Sequence, residues 1–137
     1  MISQLIRYLV IEALIDRKRL RALYDYLNDE SLGIVADRYG LDKDTIRGMA
    51  SRIRQLGAVY LRIAKYVIPF VIEKVSEVVT FKDGGKWAIC GLCGKQILVK
   101  HLGVVYIHID RYHSTYVEKL VGSVIEDLRK CCRQGYR

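Results

Sequence analysis

The residues of this sequence best suited to chemistry are two cysteines and two histidines. Cys90 and Cys93 stand two residues apart in "CGLCGK" (90–95), and His108 and His113 follow in "HIDRYH" (108–113). Fourteen residues separate Cys93 from His108, and four separate the two histidines. Thiolate and imidazole are the ligands that zinc takes in a closed, four-coordinate structural site. A two-residue gap lets one tight turn aim both sulfurs at a single point, and Gly91 and Gly94 ease that backbone. Two histidines five positions apart reach the same point from a helix whose turn is slightly loosened there. His101 is a rival ligand, or else a strand residue meeting water. Cys131 and Cys132 would join the site only if the last helix folds back; otherwise they are small apolar fillers.

A catalytic metal keeps one position open for water beside a carboxylate that serves as base. Here four ligands already fill the tetrahedron, Asp110 is the only acid near them in sequence, and neither HExxH nor HxE occurs. No Ser/His/Asp or Cys/His catalytic set, phosphate-binding glycine loop or magnesium-binding carboxylate cluster stands out. The expectation is a structural zinc ion in a protein that is not an enzyme, with no small-molecule substrate.

Several elements must position these ligands. "VVTFKDGGKWAIC" (78–90) is two β-prone runs around Asp83-Gly84-Gly85, a hairpin signal, and "QILVK" offers a short third strand. From about Ile107 the pattern is helical to the end. Tyr112, Tyr116, Val117, Leu120, Val124 and Leu128 form its expected buried stripe, in one long helix over about 107–134 that stops just before Gly135. Upstream, Leu5, Leu9, Ala13 and Leu14 recur at helical spacing, as do Leu20, Leu23, Tyr24 and Leu27. "SLGIVADRYGLDKDTIRGMASRIRQLG" (31–57) reads as helix, short turn, helix. Ser31 caps the first helix, Gly40 ends it, and Asp42 or Asp44 caps the second. "AVYLRIAKYVIPFVIEKVSEVV" (58–79) reads as a helix bent or restarted at Pro69. The fold class is therefore mainly α with a small β part (α+β). Residues 1–79 would form a helical domain, and 80–137 a ββα metal region with a long C-terminal helix.

Residues 87–113 resemble a two-Cys two-His zinc finger. The match rests on Trp87 before the cysteine pair, the knuckle "CGLCGK", Ile97 after it, and "YIHIDRYH" as the histidine helix. The stretch is particularly similar to the single fingers of small proteins from crenarchaeal viruses and plasmids. Its middle is longer, and its histidine gap wider, than the common pattern. Residues 34–54 resemble a bacterial and archaeal helix-turn-helix. Ala36 is the small residue of the first helix, Gly40 the turn residue, and Ile46 the apolar anchor of the second, with Val35, Tyr39, Leu41 and Met49 filling the shared core. That resemblance implies a recognition helix over 43–54, with Lys43, Asp44, Arg47, Gly48 and Ser51 facing the major groove. Arg47 would pair two-pronged with guanine, while Lys43, Arg52 and Arg54 hold phosphates. Asp44 would cap the helix or read a cytosine. "DRKRLR" (16–21) either contacts the DNA backbone or is a solvated helix face.

The bulk composition agrees with a polyanionic partner. The chain has 137 residues, about half of them apolar, and a formal net charge of +8. Such hydrophobicity excludes disorder. Arg7, Glu12 and Asp16 interrupt the apolar N-terminal stretch, and no run approaches the roughly 20 apolar residues of a membrane span. A cytoplasmic location, a host's cytoplasm if the protein is viral, is expected, with reduced thiols and no membrane partner. Scarce Asn, Gln and Pro beside abundant Ile, Val, Tyr, Lys and Arg lean toward a thermophile. The expected function is a zinc-containing transcriptional regulator that binds double-stranded DNA, dimerising through its last or first helix. The alternative is a zinc-stabilised protein-interaction or structural module without sequence-specific DNA binding. A nucleic-acid enzyme or its accessory subunit ranks third.

Overall fold

The computed structural model describes residues 2–135 as seven α-helices and a three-stranded antiparallel sheet. The helices are α1 (Ile2–Ile15), α2 (Arg17–Leu27), α3 (Leu32–Tyr39), α4 (Lys43–Leu56), α5 (Tyr60–Lys74), α6 (Leu102–Tyr112) and α7 (Ser114–Gly135). The strands are β1 (Val79–Lys82), β2 (Trp87–Cys90) and β3 (Gln96–Leu98). The mainly α class with a small β part is what the sequence pattern implies.

The first helix is the centre of the molecule. From Leu5 to Ile15 every α1 side chain except Arg7 is buried, against α2, α5, α6 and α7. A helix apolar on nearly all sides belongs inside a core. It ends at Asp16, whose extended backbone breaks the helix and whose carboxylate accepts the Lys18 N–H at 3.0 Å, capping α2.

The α3–α4 turn closes as a Schellman motif. Gly40 adopts a left-handed φ of 64°, Leu41 N–H donates to Ala36 O at 2.9 Å, and Gly40 N–H donates to Asp37 O at 3.3 Å. Ala22, Val35, Ala36 and Ile46 make a small core of their own, with Tyr39 and Leu41 against it. Contrary to the sequence pattern, Met49 does not share that core. It joins the main one with Ala50 and Ile53, because its position on α4 turns it toward α1. The expected side-chain caps are also missing. Ser31 and Asp42 occupy N-cap positions without a side-chain bond, and the Asp44 carboxylate is taken by Arg47.

Pro69 does not restart a segment: α5 runs through it. Proline costs a helix the bond to the carbonyl four residues back. Pro69 is exposed, so the carbonyl it leaves free lies on the solvent side, where water can bond it.

In the sheet, Val79 pairs with Cys90, Lys82 with Trp87, and Ala88 with Ile97. Asp83, Gly84 and Gly85 turn the hairpin with φ of 53°, 65° and 92°. Strand alternation buries Ala88 and Cys90 and leaves Trp87 and Ile89 half-buried. The single C-terminal helix expected over 107–134 is instead two. Helix α6 begins earlier, at Leu102, and the chain breaks at His113 (φ −127°, ψ 28°) before α7. The break changes which residues face inward. Tyr112 is 70 % exposed and Tyr116 also faces solvent, while Val117, Val121 and Val124 are buried.

One apolar cluster takes side chains from both sides of residue 80, including Leu5, Leu9, Ile68, Ala88, Val105, Ile109 and Val117. The backbone is continuous across the same line. Val78 N–H donates to Leu14 O at 2.9 Å, and Val78 O accepts from Gly91 N–H at 2.7 Å. Among the described residues no single helix is long and apolar enough to cross a membrane.

Candidate functional site

The four ligand candidates meet. Cys90 ends β2 and points inward by strand alternation. The chain then turns through Gly91–Cys93, and Gly94 (φ 77°) donates its N–H to Cys90 O at 2.7 Å. This places Cys93 beside Cys90. His108 lies on the buried side of α6.

In a regular helix His113, five positions on, would point about 140° away from His108. The helix break prevents that. His113 N–H still donates to Ile109 O at 3.0 Å, ending α6, and its own carbonyl accepts from Val117 N–H at 3.0 Å, opening α7. Its non-helical backbone swings the ring back, so that the two imidazole centroids lie 5.1 Å apart.

The ligand atoms of Cys90, Cys93, His108 and His113 all fall within 4.8 Å of one another and could hold a metal ion. Cys90 Sγ is 3.5 Å from His113 Nε2. Cys93 Sγ is 3.4 Å from His108 Nε2. A tetrahedral ion bonded to sulfur at about 2.3 Å and to nitrogen at about 2.0 Å sets S···N separations of roughly 3.5 Å. The cage therefore has the size of a four-coordinate ion. Burial, then the neighbouring His113 and Lys95, lowers the His108 imidazole from its ordinary 6.5, toward the neutral form that can donate a lone pair. Burial also raises the Cys90 thiol, against hydrogen bonds from the backbone at Leu92 and Cys93. Its proton must leave when a metal enters.

His101 is not in the cluster. It is exposed at the N-cap of α6. Cys131 and Cys132 are free and exposed, neither ligands nor apolar fillers. Asp110, the one acid near the ligands in sequence, is engaged elsewhere: its Oδ1 accepts from Arg7 Nη2 at 2.7 Å and Arg7 Nε at 3.2 Å.

The other candidate surface is α4. Ile46, Met49, Ala50 and Ile53 are buried, while Lys43, Asp44, Arg47, Gly48, Ser51, Arg52 and Arg54 are exposed. On a helical wheel Lys43, Arg54, Arg47 and Ser51 follow within about 80°, and Arg52 lies at the far edge of the polar half. Arg47 is bonded to Asp44 one turn earlier. Beside this helix-turn-helix, Arg38 bridges Asp25 (2.7 Å) and Glu30 (2.8 Å), and Tyr39 OH donates to Asp25 at 2.7 Å, tying α3 to α2.

The basic run at 16–21 is not uniformly solvated. Arg19 is buried and faces Glu12, itself buried within α1. Sequence reading missed this pair. The available signal was a carboxylate at the middle of a helix whose neighbours are apolar on every side.

No known protein family, curated protein or solved structure matches the chain.

Proposed function

We propose that this is a zinc-containing DNA-binding protein, a transcriptional regulator whose helix α4 enters the major groove while a structural zinc ion fixes the finger. One observation carries the reading. The α3–Gly40–α4 turn buries Ile46 against Val35 and Ala36, and leaves the Lys43, Arg47, Ser51 and Arg54 face of α4 open to solvent. That is how a recognition helix is presented. Arg47 takes the base-reading place, and Lys43, Arg52 and Arg54 the phosphate-holding ones.

Zinc suits a tetrahedral set of two sulfurs and two nitrogens. Bound there, it supplies a cross-link between β2, the knuckle, α6 and the start of α7. Two thiolates balance its charge, so the formal +8 that attracts a polyanion is unchanged. A second copy docked through an exposed helix face would suit a two-fold symmetric operator.

A second reading, a zinc-stabilised module that binds protein, draws on exposed Leu98, Ile107, Tyr112 and Tyr116 around the finger. Duplex binding measured against salt decides between them. Three phosphate contacts give a log–log slope of roughly −2.7, about a fortyfold loss between 50 and 200 mM salt. Affinity indifferent to salt, or to Arg47→Ala, would favour the protein-binding module.

A further inference from the structure

A cavity of about 280 Å³ lies between α1, α2, α4 and the N-terminus of α6. Its walls include Glu12, Arg19, Asp44, Gly48, Arg52 and Tyr106, the Asp44 carboxylate being already paired with Arg47. None of these is a metal ligand. Glu12 is 2 % exposed and Arg19 8 %, yet each keeps a polar atom without a hydrogen bond. Glu12 Oε2 and Arg19 Nε each lack a hydrogen-bond partner, and the two side chains approach only to 3.5 Å, between Oε2 and Nη2. Buried polar groups almost always find partners, and a pair left unmet beside a cavity asks for something in that cavity.

The unmet groups define the occupant. Glu12 offers an acceptor, so the ligand must bring a donor, best a cationic one. Arg19 offers a donor and Arg52 a second guanidinium, so the ligand must also bring an anionic acceptor. Helix α6 opens onto the same space at Leu102 and Gly103, and its free N–H groups favour negative charge. A simple anion would leave Glu12 unmet and repelled. A simple cation would do the same to the arginines. The volume equals roughly nine liquid-like waters, room for a molecule of some ten non-hydrogen atoms.

We propose that this cavity binds a small zwitterion of the free amino-acid class, its ammonium on Glu12 and its carboxylate on Arg19 and the α6 N-terminus. Tyr106 and Met49 then line the space left for its side chain. Resting on the DNA-binding reading, the ligand has a second effect. It touches α4 along the edge behind the exposed face and touches α6, the metal-bearing helix, so occupancy biases how α4 is held relative to the finger. A ligand that favours one arrangement changes DNA affinity by its differential affinity for the two.

The test is calorimetric titration and thermal melting of the full zinc-loaded protein with each of the common free amino acids. Acetate, methylamine and inorganic phosphate serve as controls. At least one amino acid binds saturably at one per chain and raises the melting temperature, and none of the three controls reproduces this. Glu12→Gln weakens that binding about tenfold or more. Gly48→Leu abolishes it by filling the cavity. A Cβ at Gly48 meets nothing within 4 Å, and leucine is the better helix former, so this variant keeps its fold. Failure of every amino acid to bind, binding that survives Gly48→Leu, or equal binding of acetate or phosphate alone overturns the proposal.

Duplex affinity with and without the bound amino acid separates the two claims. A ligand that binds but leaves a measurable DNA affinity unmoved ends the regulatory claim and keeps the site. A ligand that binds to a protein with no DNA affinity faults the DNA reading and leaves the site standing.

Discussion

Nη2 of Arg7, in the first helix, lies 2.7 Å from Oδ1 of Asp110, midway between the two histidines of the candidate metal cage. The same guanidinium reaches Glu118 on α7. One side chain from the N-terminal helix thus holds both helices that meet at His113. The metal cage and the core helix are mechanically joined.

Breaking that join has a modest, measurable cost. Arg7 is 24 % exposed and Asp110 43 %, so solvent screens the pair. A double-mutant cycle of Arg7→Ala and Asp110→Ala in urea denaturation should give a coupling of about 1 kcal/mol. Strictly additive losses would show the contact to be idle.

Metal content discriminates among the cysteines and histidines. Elemental analysis of the purified chain should give one zinc per chain. Cys93→Ser or His108→Ala should lose it, and His101→Ala, Cys131→Ser and Cys132→Ser should not. Chelation should unfold the hairpin and α6, lowering helical circular dichroism. A chain whose spectrum ignores the chelator would contradict a structural ion.

On the proposed DNA-binding reading, Asp44 would compete with the duplex for Arg47. Its carboxylate holds the guanidinium within one turn of α4, on the face proposed to meet phosphates. Asp44→Asn releases Arg47 and removes a repelling charge, so duplex affinity should rise severalfold, whereas Arg47→Ala should lower it by roughly tenfold or more and relax base preference. Equal losses from both would mean that Asp44 itself reads the duplex.

Glu12 gives a pH signature of known sign. Burial raises its carboxyl above the ordinary 4.5, partly offset by Arg19 and Arg52. Between the ordinary and the raised value the folded, ligand-free chain therefore keeps a proton that the unfolded chain releases, and above the raised value the carboxylate is ionised. The stability this supplies is complete below about 4.5 and is lost as pH climbs through the raised folded value. Unfolding free energies of the native chain minus those of Glu12→Gln should fall as pH rises from about 4.5, then level off. A flat difference would place the carboxyl in water.

Glycines of the knuckle differ in what they tolerate. A Cβ on Gly91 would sit 2.5 Å from Val78 O. At Gly94 it meets no atom within 4 Å, and only the φ of 77° opposes it. Gly91→Ala should therefore destabilise by about 1–3 kcal/mol through forced displacement, and Gly94→Ala by about 1 kcal/mol. Reversal of that order in thermal melts would mean that the knuckle is not seated on Val78.

Much of this was legible in the residues, for local reasons. Gly40 between two apolar-periodic runs marks the α3–α4 turn because only a left-handed residue closes it without strain. Asp83-Gly84-Gly85 marks the hairpin in the same way. The clustering of Cys90, Cys93, His108 and His113 was legible because thiol and imidazole spacing encodes a distance. His113 was not legible as a helix break. Its neighbours on both sides favour helix, and tertiary contacts with the cage and with Arg7 override that preference. Tyr112 and Tyr116 were assigned inward by carrying one helical phase across the break. Pro69 read as an interruption because sequence does not show that it faces solvent. The Glu12–Arg19 pair was hidden because a charge run usually means a solvated face, and only the fold reveals that one member turns inward.

Val78 has a consequence for anyone transplanting this finger. Its amide is held by Leu14 and its carbonyl holds Gly91. A fragment cut at residue 80, where the sequence composition changes, would leave that peptide behind and strip the knuckle of its seat. A portable cassette would have to begin upstream of Val78 and replace the docking that α1 provides, so grafting this module demands a host groove as well as the four clustered side chains.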